Sequence, residues 1–152
     1  MIKVVDDFFT QKELESLRNN LDEVEFLPVG NYGYSHRFRE NEDNKWIFDK
    51  IKNRFFPNED LKPVDSSFRH RHNHKKVLDH KDKHKYNFIG YLKGEELVHN
   101  GTGFFNYKKE LDHYVGFIEN RALFFPGDKI YHTDLQAIGK SSPRYTINIF
   151  YD

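Results

Sequence analysis

Arg144-Tyr145-Thr146-Ile147-Asn148-Ile149-Phe150-Tyr151 reads as one β-strand with two unlike faces. β-branched and aromatic residues dominate it, and side chains alternate along extended backbone. One face carries Tyr145, Ile147, Ile149 and Tyr151, which suits an apolar core. The other carries Arg144, Thr146, Asn148 and Phe150. That second face is mostly polar, so it either meets water or lines a polar pocket. An arginine there offers a planar two-donor fork for a carboxylate.

Upstream, the chain from Val64 onward breaks into short runs of the same kind, at 65–74, 86–93, 102–107, 114–118 and 121–125. Glu119-Asn120 and Pro126-Gly127 mark turns at short spacing, which suits an antiparallel sandwich or barrel and not a βαβ fold. The first third reads differently. Ile2-Lys3-Val4-Val5 can form a short strand, and Thr10-Gln11-Lys12-Glu13 is a capping box with Phe9 and Leu14 as its hydrophobic staple. The helix that follows has Leu14, Leu17 and Leu21 along one side, spaced for packing on something flat. A second helix after Asp43 gathers Trp46, Ile47, Ile51 and Phe55 before Pro57 stops it. Between them, Gly30-Asn31-Tyr32-Gly33-Tyr34 reads as a mobile loop, and segments 30–39 and 43–60 are expected to shape selectivity.

The 152 residues amount to one domain, with 1–63 as helical support and 64–152 as the β core, enough chain to fold without metal or disulfide props. Phe 15, Tyr 9 and Trp 1 make the core aromatic. The absence of cysteine excludes a disulfide framework, a zinc-thiolate site and a thiol nucleophile. Lys+Arg 24 balance Asp+Glu 24, which argues against dedicated nucleic-acid binding. Lys3 precedes any signal-like stretch and no apolar run is long enough for a membrane span, so a soluble, cytoplasmic protein is expected.

The histidines carry the chemistry. His70, His72, His74, His80 and His84 fall close together, with His132 further on. In His80-Lys81-Asp82 two ligating side chains alternate to the same side of extended backbone, and His132 supplies a distant third ligand. Two imidazoles and a carboxylate on one face of a metal leave three positions open, as in non-haem Fe(II) oxygenases, for a bidentate 2-oxo acid and dioxygen. The distal carboxylate of that acid needs a cation on a rigid element, and Arg144 meets the need. Two rivals stand beside this set. His132-Thr133-Asp134 imitates the His-x-Asp spacing but leaves no room after it for further strands and a third ligand. His70-x-His72-x-His74 would point three imidazoles from one strand face, amid Arg69, Arg71, Lys75 and Lys76, and reads as a metal site, a polyanion contact, a solvated rim or part of an active-site mouth.

In order along the chain stand His80-Lys81-Asp82, Phe88-Ile89-Gly90-Tyr91-Leu92, Gly101-Thr102-Gly103-Phe104-Phe105, Asn120-Arg121-Ala122-Leu123-Phe124-Phe125, His132 and Arg144 to Asp152. This ordered set resembles the Fe(II)/2-oxoglutarate-dependent oxygenase superfamily, closest to its prolyl 4-hydroxylase-like branch, over roughly residues 65–152. The resemblance implies a double-stranded β-helix, a jelly roll of mainly β structure with two N-terminal helices packed on one sheet. It implies His80, Asp82 and His132 as iron ligands and Arg144 as the partner of the 2-oxoglutarate C5 carboxylate. Tyr91, Thr146 and His70 fall at or near positions on the cosubstrate side, with His72 the alternative to His70 if the loop shifts the alignment. Gly101-Thr102-Gly103 departs from the family's usual Gly-Gly-x-Thr.

The activity implied is hydroxylation of a substrate C–H bond with decarboxylation of 2-oxoglutarate to succinate and CO2. Its cofactors are Fe(II), 2-oxoglutarate and O2, and the family also admits ascorbate. A peptidyl-prolyl or other amino-acid side chain is the expected substrate, and fold and site residues alone equally serve small molecules and nucleobases. A non-catalytic jelly-roll binding protein that uses the His-rich basic strand is the alternative from another class. A cupin-like metalloenzyme without cosubstrate, dependent on His72 or His74, is a third.

Overall fold

The computed structural model describes residues 1–30, 33–72, 79–135 and 142–152. In chain order its elements are β1 (Lys3–Val5), α1 (Gln11–Glu23), β2 (Leu27–Val29), β3 (Gly33–Phe38), α2 (Lys45–Phe55), β4 (Pro63–Arg71), β5 (Tyr86–Gly94), a 3-10 turn (Val98–Asn100), β6 (Thr102–Phe105), β7 (Leu111–Val115), β8 (Ala122–Phe125), β9 (Tyr131–Asp134) and β10 (Arg144–Tyr151). A seven-stranded sheet runs β1-β8-β5-β10-β4-β3-β2, and a three-stranded sheet runs β7-β6-β9. His80 pairs with His132 across an antiparallel bridge and so extends the small sheet beyond β9. All strand pairs are antiparallel, and the two sheets form a jelly roll.

Strand β10 lies between β4 and β5 over its whole length, and its two faces separate as their chemistry demands. Ile147, Ile149 and Tyr151 turn to the helices, in a layer with Leu14, Leu17 and Leu21 of α1 and Ile47, Ile51 and Phe55 of α2. Arg144, Thr146 and Asn148 turn inward and are buried between the sheets. There a second apolar cluster, Ile89, Tyr91, Phe104, Phe117, Leu123 and Phe125, closes one end of the sandwich.

Both helices start and pack as their sequences predict. Thr10 caps α1 by accepting from the Glu13 amide at 3.2 Å, while Glu13 Oε2 accepts from the Thr10 amide at 2.8 Å. Lys50 Nζ then reaches the same Glu13 carboxylate at 2.7 Å and ties α2 to the start of α1.

Three expectations are corrected. The stretch read as a mobile loop, 30–34, runs into β3, and the wider selectivity loop, 30–39, contains all of β3, which pairs with β4 from Gly33↔Arg71 to Phe38↔Ser66; Asn31 and Tyr32 lie outside the described residues. Gly33 makes that pairing close, since a Cβ there would sit 2.6 Å from the His70 carbonyl oxygen. Residues 1–63 are therefore not only helical, because β1, β2 and β3 all join the large sheet. The strand expected at 114–118 spans Leu111–Val115 instead. A hairpin turn sets this register: the Asn106 amide donates to Glu110 O at 3.0 Å, and Lys109 adopts φ 64. Strand β4 ends at Arg71, and His74 lies outside the described residues.

Ile51 is fully buried between α2 and the sheet, so Ile51→Ala should cost about 2–5 kcal/mol in urea unfolding. Thr10→Ala removes one cap and should cost about 1 kcal/mol. Equal losses for the two would contradict this layering.

Candidate metal centre

Three side chains with metal-binding atoms meet at the open end of the sandwich. His80, Asp82 and His132 offer ligand atoms all within 4.8 Å of one another, the one such group among the described residues. Backbone pairing holds them there. The His80 amide donates to His132 O at 3.0 Å, the His132 amide returns to His80 O at 2.9 Å, and the Asp82 amide donates to Gly127 O at 2.9 Å. Gly127 is required by close approach, since a Cβ there would lie 2.7 Å from Asp82 Oδ2.

The orientation of the donors fits a cation. His132 Nδ1 lies 3.0 Å from the Ile130 carbonyl oxygen, which can only accept, so Nδ1 carries the proton. In the neutral ring Nε2 then has a lone pair aimed at Asp82 Oδ2, 3.2 Å away. Two electron-rich atoms at that distance need a proton or a metal ion between them. His80 Nε2 stands 3.6 Å from the other Asp82 oxygen, and Asn87 Nδ2 donates to Asp82 Oδ2 at 3.1 Å to fix the carboxylate plane. Burial works to raise the Asp82 carboxyl, but His132, His80 and Asn87 outweigh it and hold it below its ordinary value. The site therefore presents an ionised carboxylate beside two histidine rings, the donor set that suits Fe(II).

A cavity of about 200 Å³ opens beside these three and is lined by charged side chains, among them Arg69 and Arg71 of β4 and Asp134 of β9. The inner face of β10 adds Asn148, whose Oδ1 accepts from Thr146 Oγ1 at 2.7 Å. The other residues singled out on the cosubstrate side are placed as follows. Tyr91 is fully buried, its hydroxyl 2.8 Å from Thr102 Oγ1 and donating to Val115 O at 3.3 Å, and burial pushes its pKa up to about 12. Tyr91, Thr146 and Arg144 share the inner face but stand behind the cavity wall.

His70 is a correction. Alternation along β4 sends Asp65, Ser67, Arg69 and Arg71 into the cavity, and sends Phe68 and His70 to the helix side. His70 stacks there on Tyr145, ring centroids 4.2 Å apart, so it faces away from His80, Asp82 and His132. His72 is drawn to Tyr34 on the same side, with centroids 5.2 Å apart. The cavity-lining residues missed from sequence are thus Arg69 and Arg71, the two arginines that flank His70. Their signal was the period of two, with Asp65 and Ser67 as the polar members of the same face.

Asp134 ties the deep end together. It accepts from Arg144 Nη2 through Oδ1, and Arg71 Nη2 reaches Oδ2 at 2.7 Å. Burial works to raise this carboxyl, but Arg144, Arg71, Arg69 and His132 together hold it below its ordinary value. Arg144 also donates through Nη1 to the carbonyls of Asn100 and Gly101, the latter at 2.8 Å.

Gly127→Ala should push the Asp82 carboxylate out of line and weaken Mn(II) binding about tenfold in calorimetry, with an unchanged far-UV spectrum. Asp134→Asn strips two buried guanidinium groups of their shared carboxylate and should cost about 3 kcal/mol at neutral pH. Because the folded carboxyl titrates below its ordinary value of 3.8, this contribution is complete above that value and is lost as pH falls through the lower folded one. The stability gap between wild type and Asp134→Asn should accordingly close only below about pH 4.

No protein-family model and no curated protein matches the sequence. Solved structures match the fold. A 2OG-Fe(II) oxygenase family oxidoreductase from Burkholderia pseudomallei aligns with TM-score 0.75 and 8% identity over 99% of this chain and 84% of its own. HygX from Streptomyces hygroscopicus, solved with nickel, 2-oxoglutarate and hygromycin B, aligns with TM-score 0.75 and 11% identity over 99% and 82%. A Pseudomonas putida prolyl-4-hydroxylase aligns with TM-score 0.67 and 13% identity over 99% and 91%. At these identities the likeness is one of fold: the chain has the jelly roll of the 2OG-Fe(II) oxygenases, prolyl hydroxylases among them, with a His-Asp-His cluster at its open end.

Proposed function

We propose that the chain is a single-domain, Fe(II)- and 2-oxoglutarate-dependent dioxygenase that hydroxylates a C–H bond. The observation that carries this reading is the convergence of His80, Asp82 and His132 within 4.8 Å beside a charged cavity in a jelly roll. His80, Asp82 and His132, all of which line the cavity, would hold the iron. Iron and 2-oxoglutarate bound there would supply O2 activation coupled to decarboxylation of the cosubstrate to succinate and CO2.

The protein's own contribution is positional. The Ile130 carbonyl sets the His132 tautomer, Asn87 sets the Asp82 plane, and the aromatic wall of Phe104 and Phe125 shields the His132 ring from bulk water. Tyr91, Thr146 and Arg144 form the polar floor behind the cavity.

An amino-acid side chain, prolyl above all, is the substrate class we favour from the motif order, with Val29 of β2 and Tyr34, Ser35 and Arg37 of β3 lining one side of the cavity. The charged lining also supports a small polar substrate, and HygX carries hygromycin B in its structure.

Anaerobic addition of Fe(II) and then 2-oxoglutarate should produce the weak visible charge-transfer band of a metal-chelated 2-oxo acid. His80→Ala, Asp82→Ala and His132→Ala should each abolish it. In air, the wild type should then convert 2-oxoglutarate to succinate. Iron bound with no such band, or a band indifferent to all three variants, would overturn the reading.

A further inference from the structure

The cavity contains a cation that the sequence order would not pick. Arg144, the residue expected to face the distal carboxylate, is already engaged: its Nη2 goes to Asp134 and its Nη1 to the carbonyls of Asn100 and Gly101. Its Nε is buried and has no partner among the described residues, and Arg144 does not line the cavity. Asp134 stands between Arg144 and the open space and is clamped from the β4 side by Arg71.

Arg69 is in a different position. It lines the cavity, donates Nε to Ser67 Oγ at 3.3 Å, and lies with its guanidinium 5.4 Å from the Phe150 ring centroid. No described carboxylate lies within ion-pair distance of it. A partly buried guanidinium whose terminal nitrogens meet neither a described carboxylate nor a described carbonyl is a site for an anion. Burial lowers its pKa, while Asp134, Asp82 and Asp65 around the cavity favour its charge.

Register places Arg69 at a useful depth. On the inner face the steps run from Asn87 and Phe150, beside Asp82, through Ile89 and Asn148 to Tyr91, Thr146 and Arg69, and only then to Arg144 and Arg71. Arg69 is therefore one pleat, about 7 Å, nearer the metal ligands than Arg71.

We propose that Arg69, and not Arg144, takes the distal carboxylate of the 2-oxo acid, with the Arg144–Asp134–Arg71 bridge serving as the closed floor of the cavity. The proposal rests on the oxygenase reading of the site. It makes Arg69 the residue that distinguishes a 2-oxo dicarboxylate from a 2-oxo monocarboxylate of the same length.

The test is calorimetric binding of 2-oxoglutarate and of 2-oxopentanoate, which lacks the distal carboxylate, to Mn(II)-loaded protein without turnover. Wild type should prefer 2-oxoglutarate by about 10- to 100-fold. Arg69→Gln should lose that preference while 2-oxopentanoate binding stays as in wild type, which also shows that the variant is folded. Arg69→Lys should keep part of the preference, since charge remains and the fork is lost. A preference intact in Arg69→Gln, or lost in Arg144→Gln alone, would overturn the assignment to Arg69 and leave the oxygenase reading standing. Wild type that binds Mn(II) but neither acid would overturn the oxygenase reading, and this inference with it.

Discussion

The need to keep an aromatic layer and a charged cavity on opposite sides of one strand shapes this molecule. Strand β10 is buried on both faces, and nothing but the period of two along its backbone separates Ile147 and Ile149 from Arg144 and Asn148. A slip of one residue would carry an arginine into the helix layer and an isoleucine into the site, so its pairing with both β4 and β5 is strongly specified. The flanking strands repeat the division. Phe68 and Phe88 face the helices, while Arg69 and Asn87 face the cavity.

Polar groups can be buried inside the sandwich because they answer one another. Asp134 meets two guanidinium groups, Asn87 meets Asp82, and Thr146 meets Asn148. Among what this network leaves unanswered beside the cavity are a lone pair on His132 facing a carboxylate, and Arg69 facing open space without a carboxylate. On the proposed reading those two points receive the ends of a ligand with a metal-chelating head and an anionic tail.

Much of this was legible in the sequence where local rules govern. The capping box at Thr10, the apolar spacing of Leu14, Leu17 and Leu21, and the two-faced final strand each depend on residues a few positions apart, and each appears as read. The His80-x-Asp82 spacing placed two donors on one side of extended backbone in the same way. Strand β3 was hidden because it opens on a glycine and is mostly polar, and it is stabilised by pairing with β4 more than by its own propensity. Strand β9 was hidden because it is short and follows a Pro-Gly turn closely.

The sequence by itself determined the alternation of faces, the helix starts and the order of candidate ligands, because these follow from periodicity and from side-chain type. Tertiary structure alone decided which polar residues meet. Arg69, His70 and Arg71 are neighbours in the chain, yet the pleat sends the arginines inward and the imidazole onto Tyr145. Asp134 looks from sequence like a rival metal ligand, yet folding brings Arg144 and Arg71 to it from two other strands and makes it a counter-ion. Such partnerships form across long chain separations at distances set by sheet packing, and no local pattern encodes them.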